Sequence, residues 1–321
     1  MIGKTREDVH VAIAGAGIAG SALAISLHRK GIFFNIYGAA KEYSVVGAGI
    51  DFGPNRMRAL DLIEPGFRHL YEALCTTNKG ERTEHIFFEG SLLGEDVAGG
   101  VIAYHDILHS IETVHFNKFL ELVEQHPHRV ILKFADGTTA EASLLAGSDG
   151  IESVVRVDIL GPSSDRRWHQ CTQVYMPTAP DYFGVNFLSA KIGSNPWVIE
   201  KKSMTETTTH EAMMAEFKGK NMDPGSMLIL AKHRPVKWGL IHHWRTSTYY
   251  QGRSVLLDNA AHASMPFQAV GAAQGVEDAL VMMEVLAKVA ETHESFGDTD
   301  AHMNAGLEPY DAVRRSRAQH Q

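Results

Sequence analysis

The sequence contains little cysteine and no long apolar run. Its 321 residues include two cysteines, Cys75 and Cys171, which lie far apart and show neither the spacing of a metal site nor a disulfide framework. We therefore expect buried thiols in a reducing compartment. No stretch of about 18 consecutive apolar residues occurs, so we also expect no membrane-spanning helix.

The sequence also lacks an excess of positive charge and a secretory leader. The net charge is −8, which argues against a broad basic surface for nucleic acid or anionic lipid. The first residues are charged and lack the apolar core of a signal peptide, so we expect a cytoplasmic protein. Apolar residues make up 44% of the chain, the balance of a globular domain. The 18 histidines are scattered without metal-ligand spacing, so no metal site is expected.

The first part of the chain predicts a strand, a helix and a second strand. Apolar residues alternate over residues 9–14, as in a strand. A helix is predicted over Ile18–Lys30, because its apolar residues cover one broad face that suits packing on a sheet. Phe33–Tyr37 follows as the second strand and completes a βαβ beginning.

Three glycines between that strand and helix have the pattern of a dinucleotide-binding turn. Gly15, Gly17 and Gly20 form the sequence G-A-G-I-A-G. The first glycine permits a tight turn, the second lets a diphosphate approach the backbone, and the third lets helix and strand pack closely. The helix N-terminus then faces the phosphates with free N–H groups and the positive end of its dipole. We predict dinucleotide binding here; a glycine-rich turn kept for packing alone is the alternative.

The remainder of the chain predicts a mixed α/β fold. The predicted elements are a hairpin over residues 129–141, a strand over 144–147, four short strands at 173–176, 197–200, 227–230 and 238–242, and a long helix over 271–291. Asp136-Gly137 supplies the hairpin turn, because glycine accepts the positive φ of a tight turn. The four short strands predict a smaller sheet that covers the substrate.

Three later stretches and the chain's ending match one family in the same order. They are residues 46–55, 147–156, 257–279 and 310–315. Together with the glycine turn, these stretches resemble the FAD-dependent aromatic hydroxylases, which are the salicylate-hydroxylase-like flavin monooxygenases. In that family the helix after the third stretch points its N-terminus at the flavin, which favours the negative charge of the reduced ring. Blocks in a fixed order are more specific than any one motif.

The resemblance implies a Rossmann-like FAD/NAD(P)-binding domain with an inserted, smaller β-rich substrate domain. The implied boundaries are 1–60, 106–160 and 245–321 for the first domain and 61–105 and 161–244 for the second. The implied reaction is hydroxylation of an aromatic or phenol-like small molecule, with FAD as cofactor, NAD(P)H as reductant and O2 as oxidant, in a biosynthetic or catabolic pathway. The implied cofactor-binding residues are Gly15, Gly17, Gly20, Gly49, Asp149, Gly150, Arg156, Asn259 and Gly271.

The chain departs from the family pattern at several cofactor positions. Gly38 stands where the family has an acidic residue that holds the ribose, and Phe116 stands where it has an arginine that contacts FAD. Asn259 replaces the aspartate that binds the ribityl chain, and residues 269–271 replace a Gly-x-Gly sequence. A hydrogen bond to a charged partner contributes about 1.5–3 kcal/mol, so these losses predict FAD binding weakened by roughly two to five decades, or lost.

The departures leave two alternatives to a flavin monooxygenase open. The first is a flavin-free isomerase, cyclase or dehydratase on the same scaffold, with His262, His243 and Asp258 as candidate acid–base residues. The second is a catalytically inactive, truncated relative that binds a small molecule or a partner. His262 can equally be a buried histidine with a structural hydrogen bond.

Overall fold

The computed structural model describes a mixed α/β fold. The described residues are 9–43, 54–74, 113–162, 166–177, 187–190, 205–217, 235–243, 245–264, 271–293 and 299–320. The strands are β1 (His10–Ala14), β2 (Phe33–Tyr37), β3 (Val114–His115), β4 (Leu120–His126), β5 (Arg129–Phe134), β6 (Thr139–Ala142), β7 (Leu144–Gly147), β8 (Arg166–Pro177), β9 (Phe187–Ala190), β10 (Thr205–Thr207), β11 (Pro235–His243), β12 (Tyr250–Gln251) and β13 (Ser254–Leu256). The helices are α1 (Ile18–Lys30), α2 (Pro54–Ile63), α3 (Phe67–Leu74), α4 (Val154–Leu160), α5 (His210–Phe217), α6 (Asp258–His262), α7 (Gly271–His293) and α8 (Thr299–Gln319).

A six-stranded sheet forms the centre of the fold. Its strand order is β12-β13-β7-β1-β2-β3, and all neighbours are parallel except β12, which forms a hairpin with β13. Both faces of β1 are buried after its first residue, as expected for a strand covered on two sides. The predicted βαβ beginning is confirmed, with the predicted bounds of α1 and β2. This central parallel sheet confirms the Rossmann-like fold class.

Helices cover one face of the central sheet. α7 packs against α1, α2 and α8. The side chains on its inner face recur at intervals of three and four and are buried: Val276, Ala279, Met283, Leu286 and Ala290. α7 begins at Gly271 as predicted and ends at His293, close to the predicted position. α8 adds a further helix of 21 residues, of which the sequence indicated only the part around 310–315.

A three-stranded antiparallel sheet lies against the other side, in the order β4-β5-β6. Val130, Leu132 and Phe134 alternate on the buried face of β5, and the Phe134 ring lies 4.9 Å from the ring of Tyr37. The predicted hairpin is confirmed, and its Gly137 has a φ of +80°. β6 contacts β1 and β5 contacts β7, so this sheet closes the core over the central strands.

A third sheet is separate and antiparallel, with the order β10-β11-β8-β9. The predicted strands at 173–176 and 238–242 lie inside β8 and β11, which confirms the smaller sheet. The predicted strands at 197–200 and 227–230 lie outside the described residues. The domain boundaries stay predictions. Among the described helices, none combines the length and the apolar character needed to cross a bilayer.

A polar ladder joins three strands of the central sheet. The Nδ2 of Asn35 lies 2.8 Å from Nε2 of His10, and the Nε2 of His115 lies 3.0 Å from Oδ1 of Asn35. Because the amide nitrogen donates, the His10 ring accepts this hydrogen bond in its neutral form. Burial lowers the pKa of His10, although a backbone hydrogen bond at Glu141 partly opposes this.

Acidification should therefore weaken the fold through His10. A folded-state pKa below the unfolded value of about 6.5 gives stability that is present above that value and is lost as the pH falls through the folded pKa. His10→Gln keeps a hydrogen-bond acceptor but removes the titrating ring. From pH 7.5 to pH 5.5, the free energy of unfolding of this variant should therefore fall less than that of the wild type. The difference should be up to about 1 kcal/mol, which is the contribution of one hydrogen bond. Urea unfolding at both pH values measures this, with the exposed His126→Gln as control. Equal pH sensitivity in all three proteins would contradict it.

Candidate cofactor site

Four strands of the central sheet end at one edge, which we call the carboxyl edge. Gly15 follows β1, Gly38 follows β2, Ser148 follows β7 and Leu257 follows β13. The chain builds the sheet outward from β1 in both directions, so β1 marks the point where the strand order reverses. Open α/β sheets bind ligands in the crevice outside such a point. The motifs that lie scattered along the sequence therefore meet at the place where this fold binds nucleotides.

The glycine turn is held tightly between β2 and β7. Gly15 has a φ of +102°, and its N–H donates to the carbonyl oxygen of Tyr37 at 2.8 Å. A Cβ at Gly15 would lie 2.2 Å from the carbonyl oxygen of Ser148, which no side chain could tolerate. The Ser148 hydroxyl donates to the carbonyl oxygens of Ala14 and Gly15 at 3.0 and 3.1 Å. The first glycine is thus required by both its backbone conformation and its packing.

The middle glycine of the turn faces open space. Gly17 is the N-cap residue of α1, and no side chain caps this helix. A Cβ at Gly17 would have no atom of the described residues within 4 Å, whereas one at Gly20 would lie 2.0 Å from the carbonyl oxygen of Gly15. The N-terminal N–H groups of α1 are therefore approachable from outside at Gly17, which is the arrangement that binds phosphate at a helix N-terminus.

A second helix N-terminus lies beside the first. Gly275, in the second turn of α7, packs so closely on Ala19 of α1 that a Cβ would lie 2.8 Å from the Ala19 Cβ. Gly271 begins α7, and a Cβ at Gly271 would have no atom of the described residues within 4 Å. The first turns of α1 and α7 contain no acidic residue. Two positive dipole ends therefore converge at the carboxyl edge and favour an anionic ligand there.

Aromatic side chains occupy the place beside Gly38. Phe116 follows β3, and its Cδ1 would lie 3.6 Å from a Cβ at Gly38. The rings of Tyr43 and Phe116 meet edge to face with centroids 5.0 Å apart. A Cβ at Gly38 would also lie 3.0 Å from the Ala16 Cβ. The two departures at Gly38 and Phe116, both predicted to weaken FAD binding, thus lie together, and an acidic side chain at Gly38 would require its neighbours to shift.

The stretch after β7 stabilises the start of α4. Asp149 accepts hydrogen bonds from the Ser153 hydroxyl at 2.5 Å and from the backbone N–H groups of Val154 and Val155 at 2.8 and 3.3 Å. These bonds satisfy donors at the N-terminus of α4. Gly150 has a φ of +83° and faces open space at the carboxyl edge. Asp149 therefore shapes this loop, while Gly150 leaves room beside it.

Arg156 is buried between α4 and α6. It is 4% exposed, and its guanidinium donates to the carbonyl oxygens of Ala260 and Ala261 at 2.9 and 3.2 Å and to the Thr246 hydroxyl at 3.1 Å. Burial lowers the pKa of Arg156 to about 10. In this position Arg156 holds α6 against α4. A direct contact with a cofactor stays a prediction.

A buried charge network ties α6 to α7 and α8. The Asp278 carboxylate accepts hydrogen bonds from His262 Nε2 at 2.6 Å, from Arg314 Nε at 2.6 Å and from the backbone N–H of Asp258 at 2.8 Å. Arg314 also donates to Glu277 at 2.8 Å. Asp278 is 0% exposed, His262 6% and Arg314 1%. Each charge of this network therefore has a partner of opposite sign inside the protein.

The network also sets the protonation of its members. Burial opposes charge on His262, but the carboxylate of Asp278 outweighs it and raises the pKa of His262. Burial alone would raise the pKa of Asp278, but the charge and hydrogen bond of His262 and the charge of Arg314 lower it. His262 thus has the structural hydrogen bond that was the alternative to an acid–base role.

Asp258 has an unusual conformation within this cluster. It is a non-glycine residue with a φ of +55°, and its Oδ1 is buried with no hydrogen-bond partner among the described residues. Burial raises the pKa of Asp258 to about 6, although the charge of His262 opposes this. Asn259 follows it and is exposed at the carboxyl edge. His243, the third acid–base candidate, donates its backbone N–H to the carbonyl oxygen of Ala263 and so lies next to α6.

Gly49 and Val270 lie outside the described residues. Within the described ranges, no group of three or more histidine, cysteine, aspartate or glutamate side chains could hold a metal ion.

Sequence reasoning missed the pairing of Arg314 with Asp278. Leu307, Tyr310 and Arg314 recur at intervals of three and four on the buried face of α8. A charged residue at a buried position of an apolar face indicates an ion pair with another element. That periodicity was visible in the sequence, but it did not identify the partner, which lies 36 residues earlier.

Comparison with known proteins identifies the family. A FAD-dependent monooxygenase of Gibberella moniliformis is 43% identical over an alignment of 374 residues that covers 98% of this chain and 85% of the relative. The chain belongs to the FAD-dependent monooxygenases, of the salicylate hydroxylase type. No protein-family model matches it. Because the alignment is longer than the 321 residues of the chain, the relative contains internal stretches without counterpart here.

Two further relatives agree with this assignment, and two solved structures share the fold. The 6-methylsalicylate 1-monooxygenase of Aspergillus terreus is 30% identical, with coverage of 97% of this chain and 80% of the relative. The salicylate hydroxylase of Pseudomonas putida is also 30% identical, with coverage of 98% and 84%. A salicylate hydroxylase–substrate complex matches the fold with a TM-score of 0.74 at 23% identity over 98% of this chain and 87% of that chain. CtdE in complex with FAD matches with a TM-score of 0.76 at 16% identity over 98% and 92%.

Proposed function

We propose that this monooxygenase binds FAD at the carboxyl edge and hydroxylates a small aromatic or phenol-like molecule, with NAD(P)H as reductant. The balanced reaction converts the aromatic compound, O2, NAD(P)H and a proton into the hydroxylated product, NAD(P)+ and water. One oxygen atom enters the ring and the other leaves as water, while the nicotinamide supplies two electrons. Two relatives are named for their substrates, 6-methylsalicylate and salicylate, and these names support this substrate class.

The observation that carries the proposal is the open backbone at Gly17. Among the described residues, no side chain caps the N-terminal turn of α1 and none would lie within 4 Å of a Cβ at Gly17, while Gly15 and Gly20 are fixed by close packing. A diphosphate can therefore reach the N–H groups of α1 without moving any described side chain. The residues present fit the diphosphate of the cofactor that the family name specifies.

Further residues would hold the rest of the cofactor. Asn259 is exposed at the carboxyl edge, and its amide can both donate hydrogen bonds to a polyol chain and accept hydrogen bonds from it. No described side chain would lie within 4 Å of a Cβ at Gly271, so the N-terminus of α7 can stabilise negative charge on a ring placed against it. Gly150 has no side chain, so the loop after β7 can approach the cofactor closely. When bound, FAD supplies the redox chemistry, and these residues supply position and polarity.

The region beside Gly38 lowers the expected affinity. Tyr43 and Phe116 place aromatic rings where an acid would accept hydrogen bonds from the ribose hydroxyls. An adenosine can still contact these rings through its base, but it gains no charge-assisted hydrogen bond there. We therefore expect FAD to bind reversibly, so that the purified protein requires added FAD for full occupancy.

Absorption and turnover measurements test the proposal. After addition of FAD and removal of the unbound FAD, the protein should show the absorption spectrum of a bound flavin. The FAD-loaded protein should oxidise NADH or NADPH faster when salicylate or 6-methylsalicylate is present. With 18O2, the hydroxylated product should contain one labelled oxygen atom. Cyclohexanecarboxylate, which has a carboxylate but no aromatic ring, is the control.

The same measurements separate the other hypotheses. A protein that remains colourless after incubation with FAD and oxidises no NAD(P)H with any phenol would overturn the proposal. Turnover of a substrate without FAD, abolished by His262→Ala or Asp258→Ala, would instead support the flavin-free enzyme. Ligand binding without turnover under any condition would support the inactive relative.

A further inference from the structure

Asp258 is a half-buried acid with a buried Oδ1, and the proposed chemistry does not use it. Its φ of +55° lies in the left-handed region, and its Oδ1 has no hydrogen-bond partner in the described part of the chain. That oxygen would lie 2.9 Å from a Cβ at Gly275, and the same Cβ would lie 2.8 Å from Ala19. The carboxyl group therefore lies at the contact between the first turns of α1 and α7.

This contact lies directly beneath the two open helix N-termini. Gly275 is four residues into α7 and Ala19 is the second residue of α1, so the carboxyl is within about 6–9 Å of both N-termini by helix geometry. The two dipoles stabilise one anionic group there, and a charged Asp258 already supplies part of that charge. A diphosphate and an ionised Asp258 must then compete for the same positive potential.

The neighbouring charges do not neutralise Asp258 completely. His262 on α6 and Arg314 on α8 both bond to Asp278 of α7, and the nearby Glu277 bonds to Arg314. Arg156 of α4 bonds to backbone carbonyls of α6, and His243 of β11 lies beside the end of that helix. α1 presents Ala19, which carries no charge. His262, Arg314 and Arg156 are therefore already engaged with other partners.

We propose that Asp258 makes cofactor binding proton-linked: the diphosphate binds at the N-terminal turns of α1 and α7 together with a proton that the Asp258 carboxyl takes up. This inference rests on the proposed function, because it requires a diphosphate at that place. The raised pKa of Asp258, about 6, agrees with it. Because this pKa already lies near neutral pH before any ligand binds, a nearby diphosphate can raise it enough for the carboxyl to take up a proton. The proton cancels the repulsion between the two acidic groups.

The expected effect is large enough to measure. Two like charges about 8 Å apart at an effective dielectric constant of about 20 change an affinity by roughly 30-fold. The affinity of the wild type for FAD should therefore fall by about 10- to 100-fold between pH 6 and pH 8. Near pH 7, binding should take up roughly half a proton or more.

Calorimetric titration tests this proton uptake directly. FAD is titrated into the protein at pH 7 in buffers with different ionisation enthalpies. The slope of the observed binding enthalpy against the buffer's ionisation enthalpy gives the number of protons taken up. ADP-ribose, a diphosphate diester that does not titrate in this range, serves as a second probe and assigns the effect to the diphosphate. Dissociation constants are also measured from pH 6 to pH 8.

Variants at Asp258 provide the decisive comparison. Asp258→Asn keeps the size of the side chain and tolerates a positive φ, and Asp258→Gly removes the side chain altogether. Both should bind FAD about 10- to 100-fold more tightly than the wild type at pH 8, with no proton uptake and a flat pH profile. Glu284→Gln makes the same charge change on the exposed face of α7 and should behave as the wild type.

Folding of the ligand-free variants gives an independent check. A carboxyl whose folded pKa is raised above its unfolded value makes the protein lose stability as the pH rises from about 4 through about 6. Asp258→Asn should lack that loss in thermal unfolding, which also shows that the variant is folded.

Each outcome has a clear meaning. If FAD and ADP-ribose bind without proton uptake, or if Asp258→Asn takes up as many protons as the wild type, the inference is wrong while the proposed function stands. Uptake of a Mg2+ ion in place of a proton would equally overturn it. If neither ligand binds at any pH, the proposed function itself fails.

Discussion

Gly15→Ala should destabilise the fold by about 3–5 kcal/mol, whereas Gly17→Ala should leave the fold intact and weaken the binding of FAD. At Gly15, a new Cβ would lie 2.2 Å from a backbone oxygen, and the φ of +102° is strained for alanine. At Gly17, φ is −74° and the added methyl group would meet no described atom. Loss of glycine at a helix N-cap then costs about 1 kcal/mol or less.

The methyl group at Gly17 matters only to a ligand. It would project into the space through which a diphosphate approaches the N–H groups of α1, so we expect at least about tenfold weaker FAD binding. Chemical unfolding and FAD titration of both variants measure these effects side by side. Unchanged FAD affinity in a folded Gly17→Ala protein would show that the diphosphate does not bind at this turn.

Arg314→Met should destabilise the protein by about 3–5 kcal/mol. The substitution removes the arginine that pairs with the fully buried Asp278 at 2.6 Å and leaves that carboxylate with only His262 and the backbone N–H of Asp258. Methionine retains much of the length of the arginine side chain, so lost packing contributes little. Urea unfolding measures the change in the free energy of unfolding.

Arg315→Met is the matched control in the next position of the same helix. Arg315 pairs with Asp311 within one turn, and its side chain is 35% exposed. Solvent screens such pairs, so the expected loss is about 1 kcal/mol or less. Similar losses in both variants would mean that the buried network does not hold α8 to α7.

The local sequence predicted the elements that carry the glycine turn. Alternating and 3.6-residue patterns identified β1, α1, β2, the hairpin at 129–141 and the start of α7, and the structure confirms each of them. These predictions succeeded because a turn glycine and an apolar face depend on residues only a few positions apart. The resemblance to flavin monooxygenases succeeded for a related reason, since ordered motifs reflect a shared fold.

The sequence was less informative about the side chains around the site. It marked Phe116 as a lost cofactor contact but did not show that Phe116 packs beside Gly38 and Tyr43. It suggested acid–base roles for His262 and Asp258 without revealing their shared neighbour, Asp278. Contacts of this kind join residues far apart in the chain, so no local pattern encodes them.

By itself, the sequence determined the turn that can receive a diphosphate, because the conformational freedom of glycine is a property of single residues. Only the tertiary structure decided that the ends of four parallel strands and the N-termini of α1 and α7 meet at one edge. Only the tertiary structure, too, placed the Asp258 carboxyl between those helices. The physical reason is that burial and charge–charge distance, which set the protonation of a group, exist only once distant segments have packed together.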